Sequence, residues 1–137
     1  MFVTETQIRV RYGETDRMGV AYYGSYSVFY EVARTDMLRK IGLSYKEMED
    51  KGIILPVIHL NVHYYLPALY DEMITIKTYM KNKPGVRIHF EYELFNAENK
   101  LINKGETTLA FVNKKTGRPT KAPEYFMEKI AAYFDLS

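Results

Sequence analysis

The chain has no cysteine. That excludes disulfides, thiolate metal sites and a cysteine nucleophile together. It also suits a reducing compartment, and a cytoplasmic location is expected. Tryptophan is absent as well, while tyrosine occurs thirteen times. Tyrosine covers apolar surface and keeps a polar tip, so such a surplus suits interfaces and pocket walls. No stretch approaches the ~20 apolar residues of a membrane-spanning helix. The opening MFVTETQIRVRYGE has no basic segment followed by an apolar run, so no signal peptide is expected. Charge bias is small: 19 Lys and Arg oppose 17 Asp and Glu, a net +2, which gives no footing for a nucleic-acid partner. Neither G-x-S-x-G nor H-E-x-x-H occurs. The three histidines, His59, His63 and His89, fall on strand-like segments and do not build a strong metal site. No metal and no cofactor are expected.

What remains is an ordinary folding composition. The 137 residues are 47% hydrophobic, enough for one self-supporting domain over 1–137. TQIRVRY (Thr6 to Tyr12) alternates Ile8, Val10 and Tyr12 against Gln7, Arg9 and Arg11, the period of a half-buried strand. Tyr26, Phe29, Tyr30, Ala33, Met37 and Ile41 then recur at helical spacing. Gly24 and Ser25 can start that helix, and Gly42 sits where a left-handed cap belongs. A short polar helix follows, capped by Ser44 and closed by Gly52. Ile53 to Pro67 is β-rich, with Pro56 pushing its early part toward an edge or bulge. Ile74, Ile76, Thr78 and Met80 alternate on the next strand. After the Pro84-Gly85 turn, Val86, Ile88, Phe90, Tyr92 and Leu94 share one face of another. A further strand closes at Thr116-Gly117, and a short helix follows Pro123. Hairpin-length connections imply antiparallel neighbours, and one long helix against one sheet is an α+β layer pair.

The chemically interesting stretch is YGETDRMGVAYYGSY, Tyr12 to Tyr26. With no cysteine and no metal motif, a carboxylate near a helix N-terminus is the best hydrolytic candidate, and Asp16 occupies that place. Asp before a Gly-rich turn is also common as a simple turn cap, so Asp16 could equally cap the turn before Gly19. If the helix begins near Gly24, its first N–H groups and the positive end of its dipole face whatever sits there. Glu14 is expected to point to solvent. Glu31 is expected to pair with Arg34 or a backbone group. Lys81, Lys83 and Arg87 gather at the Pro84-Gly85 turn.

The order of elements, with RYGETDRMGVAYYGSYSVFYEVAR and LPALYDEMITI, resembles the hot-dog-fold acyl-CoA thioesterases, specifically the 4-hydroxybenzoyl-CoA thioesterase type. The resemblance runs from about Ile8 to about Asn113. It implies a five-stranded, curved antiparallel sheet wrapped around one long central helix. It makes Asp16 the nucleophile or general base on the thioester carbonyl, and the backbone N–H groups of Tyr23 and Gly24 the oxyanion donors. It assigns substrate contacts to Gly19, Val20, Tyr22 and Tyr26, and the nucleotide end of an acyl-CoA to Lys83 and Arg87. Many members have His where this chain has Tyr23, so an imidazole acid is missing. Pro84 and Gly85 replace the Arg pair often found at that turn. The resemblance also implies a homodimer or homotetramer in which the strand after the helix, within Ile54 to Tyr65, pairs with its twin across a two-fold axis. Two other readings stay open. A dehydratase on acyl-carrier substrates needs a His with a carboxylate, and the loop and helix carry no His. A non-catalytic acyl-CoA binding module would be expected to lose the carboxylate at position 16.

Overall fold

The computed structural model describes residues 1–134. Strand β1 spans Phe2–Arg9, helix α1 Ser25–Arg39 and helix α2 Tyr45–Asp50. They are followed by β2 (Ile53–Ile54), β3 (Val57–Tyr64), β4 (Met73–Met80), β5 (Arg87–Phe95), β6 (Leu101–Ala110), β7 (Val112–Asn113) and α3 (Glu124–Ile130). Five strands form one sheet in the order β1-β4-β5-β6-β3, every neighbouring pair antiparallel. β2 and β7 form a separate two-stranded pair.

The alternation read in the sequence decides which side of the sheet is covered. Ile74, Ile76, Thr78 and Met80 of β4, and Ile88, Phe90, Tyr92 and Leu94 of β5, are all buried. Tyr26, Phe29, Tyr30, Ala33 and Met37 of α1 meet them from the other side. Each fully buried Phe, Met or Ile contributes roughly 1.5–3 kcal/mol. Gly42 and Gly52 close α1 and α2 at positive φ, and the Ser44 hydroxyl accepts from the Glu47 N–H.

Four expectations need correction. The strand expected to close at Thr116-Gly117 ends at Ala110 as β6, and Val112–Asn113 pair instead with β2. β1 lies earlier than Thr6 to Tyr12, because β4 continues the pairing back to Phe2 opposite Met80. Past Arg9 only Val10 keeps the pattern, and Tyr12 opens a single 3-10 turn and is exposed. Ile53 to Pro67 is two strands rather than one, broken at Pro56 as a residue without an N–H dictates. Val86 lies before β5 and is partly exposed, although it shares the parity of the buried face.

One sheet edge is β3. Leu60 stands opposite Thr107 and Tyr64 opposite Asn103, and those β6 partners are buried. Yet Leu60 is 45% and Tyr64 52% exposed, and Val28 and Val32 of α1 are likewise open. This end of the helix-facing layer is apolar and uncovered by the chain's own elements.

Candidate active site

The stretch Thr15 to Ala21 is a small hairpin, bridged Thr15 to Ala21 and turned at Gly19, whose φ of 76° favours a residue without Cβ. It is strapped down on two sides. Ala21 N–H donates to Ala68 at 2.7 Å and Tyr70 N–H to Gly19 at 2.9 Å. Tyr22 N–H and the Ser25 hydroxyl both donate to the Glu14 carbonyl, each at 2.9 Å. The loop is thereby fixed to the first residue of α1.

Asp16 sits within this hairpin. Its Oδ1 accepts from Met18 N–H at 2.8 Å, while its backbone carbonyl accepts from Gly19. So the turn-capping reading is satisfied by one oxygen. Among the described residues, Oδ2 accepts nothing and remains available for chemistry. A sheltered Asp16 among Met18, Tyr22 and Tyr23 is not formed. Asp16 is exposed, Met18 is 81% exposed and Tyr23 67% exposed.

The helix entrance fits an oxyanion donor. Gly24 is the N-cap, and no side chain caps it. Among the described residues, the N–H groups of Tyr23 and Gly24 donate no hydrogen bond. Gly24 has a packing reason too: a Cβ there would lie 2.7 Å from the Tyr22 ring. The Tyr64 hydroxyl donates to the Tyr23 carbonyl at 3.1 Å, which holds this peptide in place. Beside it opens a cavity of about 240 Å³ lined by Ala21, Tyr23, Tyr26, Tyr64, Tyr65, Leu66 and Pro67. Tyr26 is buried with its hydroxyl near the Ala68 N–H, and burial raises its pKa. The Tyr22 ring meets that of Tyr23 at a tilt of 43°, centroids 4.3 Å apart, but does not line the cavity, nor do Gly19 and Val20.

The other candidates lie apart. Glu14 does not point to solvent: it folds back on Arg11, accepting from the Arg11 backbone at 2.7 Å and its guanidinium at 3.1 Å, with the side chain 13% exposed. Its hydrogen bond raises the Arg11 pKa. The expected Glu31–Arg34 pair is absent from the ion pairs of the described residues. Arg34 is 7% exposed beside the hydroxyls of Tyr45 and Tyr92, and Glu31 is exposed. Lys81 pairs with Glu91 at 3.1 Å. Lys83 and Arg87 flank a turn at the end of the sheet opposite Asp16, because β1 enters the Asp16 loop after Arg9, opposite Met73, while the turn follows Met80. Eight residues of strand separate the two ends by roughly 26 Å. Sequence reasoning missed Tyr64, Tyr65, Leu66 and Pro67 as cavity walls. It also missed Lys121, which joins Pro84, Gly85 and Val86 around a second cavity at that far turn. The HYYLP run was a legible signal for the first group.

The described residues hold no cluster of His, Asp and Glu able to bind a metal, and no described helix is long and apolar enough to cross a membrane. The model of the thioesterase-like superfamily matches residues 10–130. The chain belongs to that superfamily. It is a thioester hydrolase of hot-dog architecture. The acyl-CoA thioester hydrolase YbgC of Escherichia coli is 36% identical over 117 residues, 85% of this chain and 87% of that protein. A DHNA-CoA thioesterase from Staphylococcus aureus superposes with a TM-score of 0.91 at 39% identity, over 99% of this chain and 91% of the other. A 4-hydroxybenzoyl CoA thioesterase variant in complex with 4-hydroxybenzoyl CoA superposes at 0.83 over 94% and 99% of the two chains. Its identity of 19% supports the shared fold alone.

Proposed function

We propose that this single-domain thioesterase hydrolyses an acyl-CoA to the free acid and CoA, with Asp16 as the reacting carboxylate. The observation that carries the residue assignment is the docking of the Asp16 hairpin onto the head of α1, where unbonded N–H groups await a charge. The thioester carbonyl lies against Tyr23 and Gly24 N–H, which take up the developing oxyanion; one such donor is typically worth about 3–4 kcal/mol. Asp16 either attacks the carbonyl carbon or removes a proton from the attacking water. The CoA sulfur leaves as thiolate, with a pKa near the cysteine reference of about 8.5, so the lack of an imidazole at Tyr23 is tolerable.

The working unit is a homodimer joined through β3, and a pair of such dimers gives the tetramer. The open apolar layer of Leu60, Tyr64, Val28 and Val32 supports this, because an unpaired edge strand with an apolar face is a liability unless covered. Antiparallel pairing of β3 with its twin reverses the two ends of the sheet. Lys83 and Arg87 of the partner subunit then lie at the same end as Asp16, and both subunits serve one acyl-CoA. Such a pairing also shelters Asp16 from water. The cysteine-free composition suits operation in the cytoplasm. The test is a panel of short, medium, long and aromatic acyl-CoAs, with release of free CoA thiol followed by a thiol reagent. Hydrolysis of at least one class is expected. A protein that binds acyl-CoA but releases no thiol from any would instead be a binding module.

A further inference from the structure

The two N–H groups at the head of α1 belong to consecutive peptide planes, and each plane is held from its carbonyl side. A peptide is planar and trans, so its N–H and C=O point in opposite directions. Whatever binds the carbonyl therefore fixes where the N–H points. The Tyr23 N–H shares its plane with the Tyr22 carbonyl, which accepts from the Ser25 N–H at 2.8 Å. That bond is local and closes the turn that opens the helix. The Gly24 N–H shares its plane with the Tyr23 carbonyl. This carbonyl lies one residue before the N-cap, and the helical ladder begins only at the N-cap carbonyl. Among the described residues no backbone N–H donates to it. Its donor is a side chain 41 residues away, the Tyr64 hydroxyl, at 3.1 Å.

Tyr64 is itself well anchored. Its backbone ends β3, in register with Asn103 of β6. Its ring meets that of Tyr26 edge-on, centroids 5.2 Å apart and planes at 86°, and Tyr26 is buried. The sheet thus carries the hydroxyl, the loop carries the carbonyl, and the bond sets one against the other. The bond also acts electronically. A donor on the carbonyl oxygen draws density from the amide nitrogen, so the N–H on the far side becomes a stronger donor, the cooperative strengthening of linked hydrogen bonds. Gly24 has no Cβ to restrict its backbone, so this outside tether is what limits the plane.

We propose that Tyr64 is a positioning residue for thioester hydrolysis: its hydroxyl orients and polarises the Tyr23–Gly24 peptide, so that the Gly24 N–H meets the developing oxyanion. This rests on the acyl-CoA reading, with Asp16 as the reacting carboxylate and the Tyr23 and Gly24 N–H groups as donors. Charge on the carbonyl oxygen is greater in the transition state than in the bound thioester. The hydroxyl therefore contributes to kcat rather than to KM.

The experiment starts from Tyr64→Phe, which removes the hydroxyl and keeps the ring as a cavity wall. The expected result is a kcat lower by about ten-fold, less than the roughly 10²–10³-fold of a deleted oxyanion donor because the N–H itself remains, with KM within about two-fold. Circular dichroism and light scattering are expected to match the wild type. Tyr64→Leu also opens the wall and raises KM; a merely structural Tyr64 gives the same rise in both variants. Replacing Tyr64 by 3-fluorotyrosine, a stronger donor of nearly the same shape, retains or raises kcat at neutral pH. The second readout is the infrared carbonyl stretch of a ¹³C-labelled acyl-CoA thioester bound to Asp16→Asn. Hydrogen bonds to that oxygen lower its frequency, and adding Tyr64→Phe is expected to reverse part of the shift. An unchanged kcat in a folded Tyr64→Phe, or a carbonyl frequency that Tyr64→Phe does not move, overturns the proposal. Failure of the acyl-CoA reading looks different: the wild-type enzyme releases no thiol from any acyl-CoA, or Asp16→Asn turns substrate over as the wild type does.

Discussion

Gly105 lies in the middle of β6, and its neighbour across the layer is the ring of Tyr30. A Cβ at position 105 would stand 2.2 Å from the Tyr30 hydroxyl oxygen, 2.3 Å from Cζ and 2.4 Å from Cε2. Ordinary contacts need roughly 3.4 Å or more, so the ring must retreat by about 1 Å. It has nowhere cheap to go. Tyr30 is fully buried, stacks on Tyr92 with centroids 4.3 Å apart and planes within 3°, and donates to the Asn103 side chain. Overpacking of this kind costs about 1–3 kcal/mol, and the added loss of a buried hydrogen bond puts Gly105→Ala at the upper end. With an unfolding entropy of ~2.1 cal/mol/K per residue over this length, each kcal/mol is roughly 3–4 °C. The expected fall in Tm is therefore about 7–12 °C. Were there no clash, removing a glycine from a strand would stabilise by about 0.5–1 kcal/mol, so the sign alone is informative. Thermal and urea unfolding of Gly105→Ala in wild-type and Tyr30→Leu backgrounds measures the coupling. Tyr30→Phe removes only the oxygen and leaves both ring carbons in the way, so it gives little relief; Tyr30→Leu gives most. A neutral or stabilising Gly105→Ala, or an equal cost in both backgrounds, refutes the reasoning.

Three further outcomes follow from the same packing. Light scattering at micromolar concentration gives a dimer or a dimer of dimers, and a monomer contradicts the β3 pairing. Leu60→Arg places a charge on that open face without touching the core, so the protein stays folded by circular dichroism but dissociates and loses turnover. Changing Lys83 and Arg87 together to Ala raises KM for an acyl-CoA and leaves a short acyl thioester lacking the nucleotide unaffected; equal losses on both point to a pocket or folding effect.

What could be read from the residues was whatever repeats along the chain. The alternation of Ile74 to Met80 and Ile88 to Leu94 announced two strands with one buried face each, and the spacing from Tyr26 to Met37 announced the helix that covers them. Gly42, Ser44 and Gly52 marked boundaries because each answers a local backbone need. Positions set by distant partners were not legible. β1 runs back to Phe2 because Met80 waits opposite it, which no window around Thr6 reveals. Glu14 is expected at solvent, yet its carboxylate closes a turn with Arg11. Arg34 enters the sequence only as a partner for Glu31, and the packing of Tyr45 and Tyr92 around it makes it an interior cation. The resemblance supplied the candidate roles of Asp16, Tyr23 and Gly24. The structure brings these residues to one end of the molecule and leaves Asp16 open to water.

The most direct measurement is single-turnover hydrolysis of a good acyl-CoA substrate by Asp16→Asn beside the wild-type enzyme, with substrate affinity determined for both. The substitution keeps the shape of the side chain, and its Oδ1 can still cap the turn at Met18. The expected rate is lower by at least ~100-fold, the scale of a lost general base, with affinity little changed. Turnover within a few-fold of wild type would remove Asp16 from the mechanism.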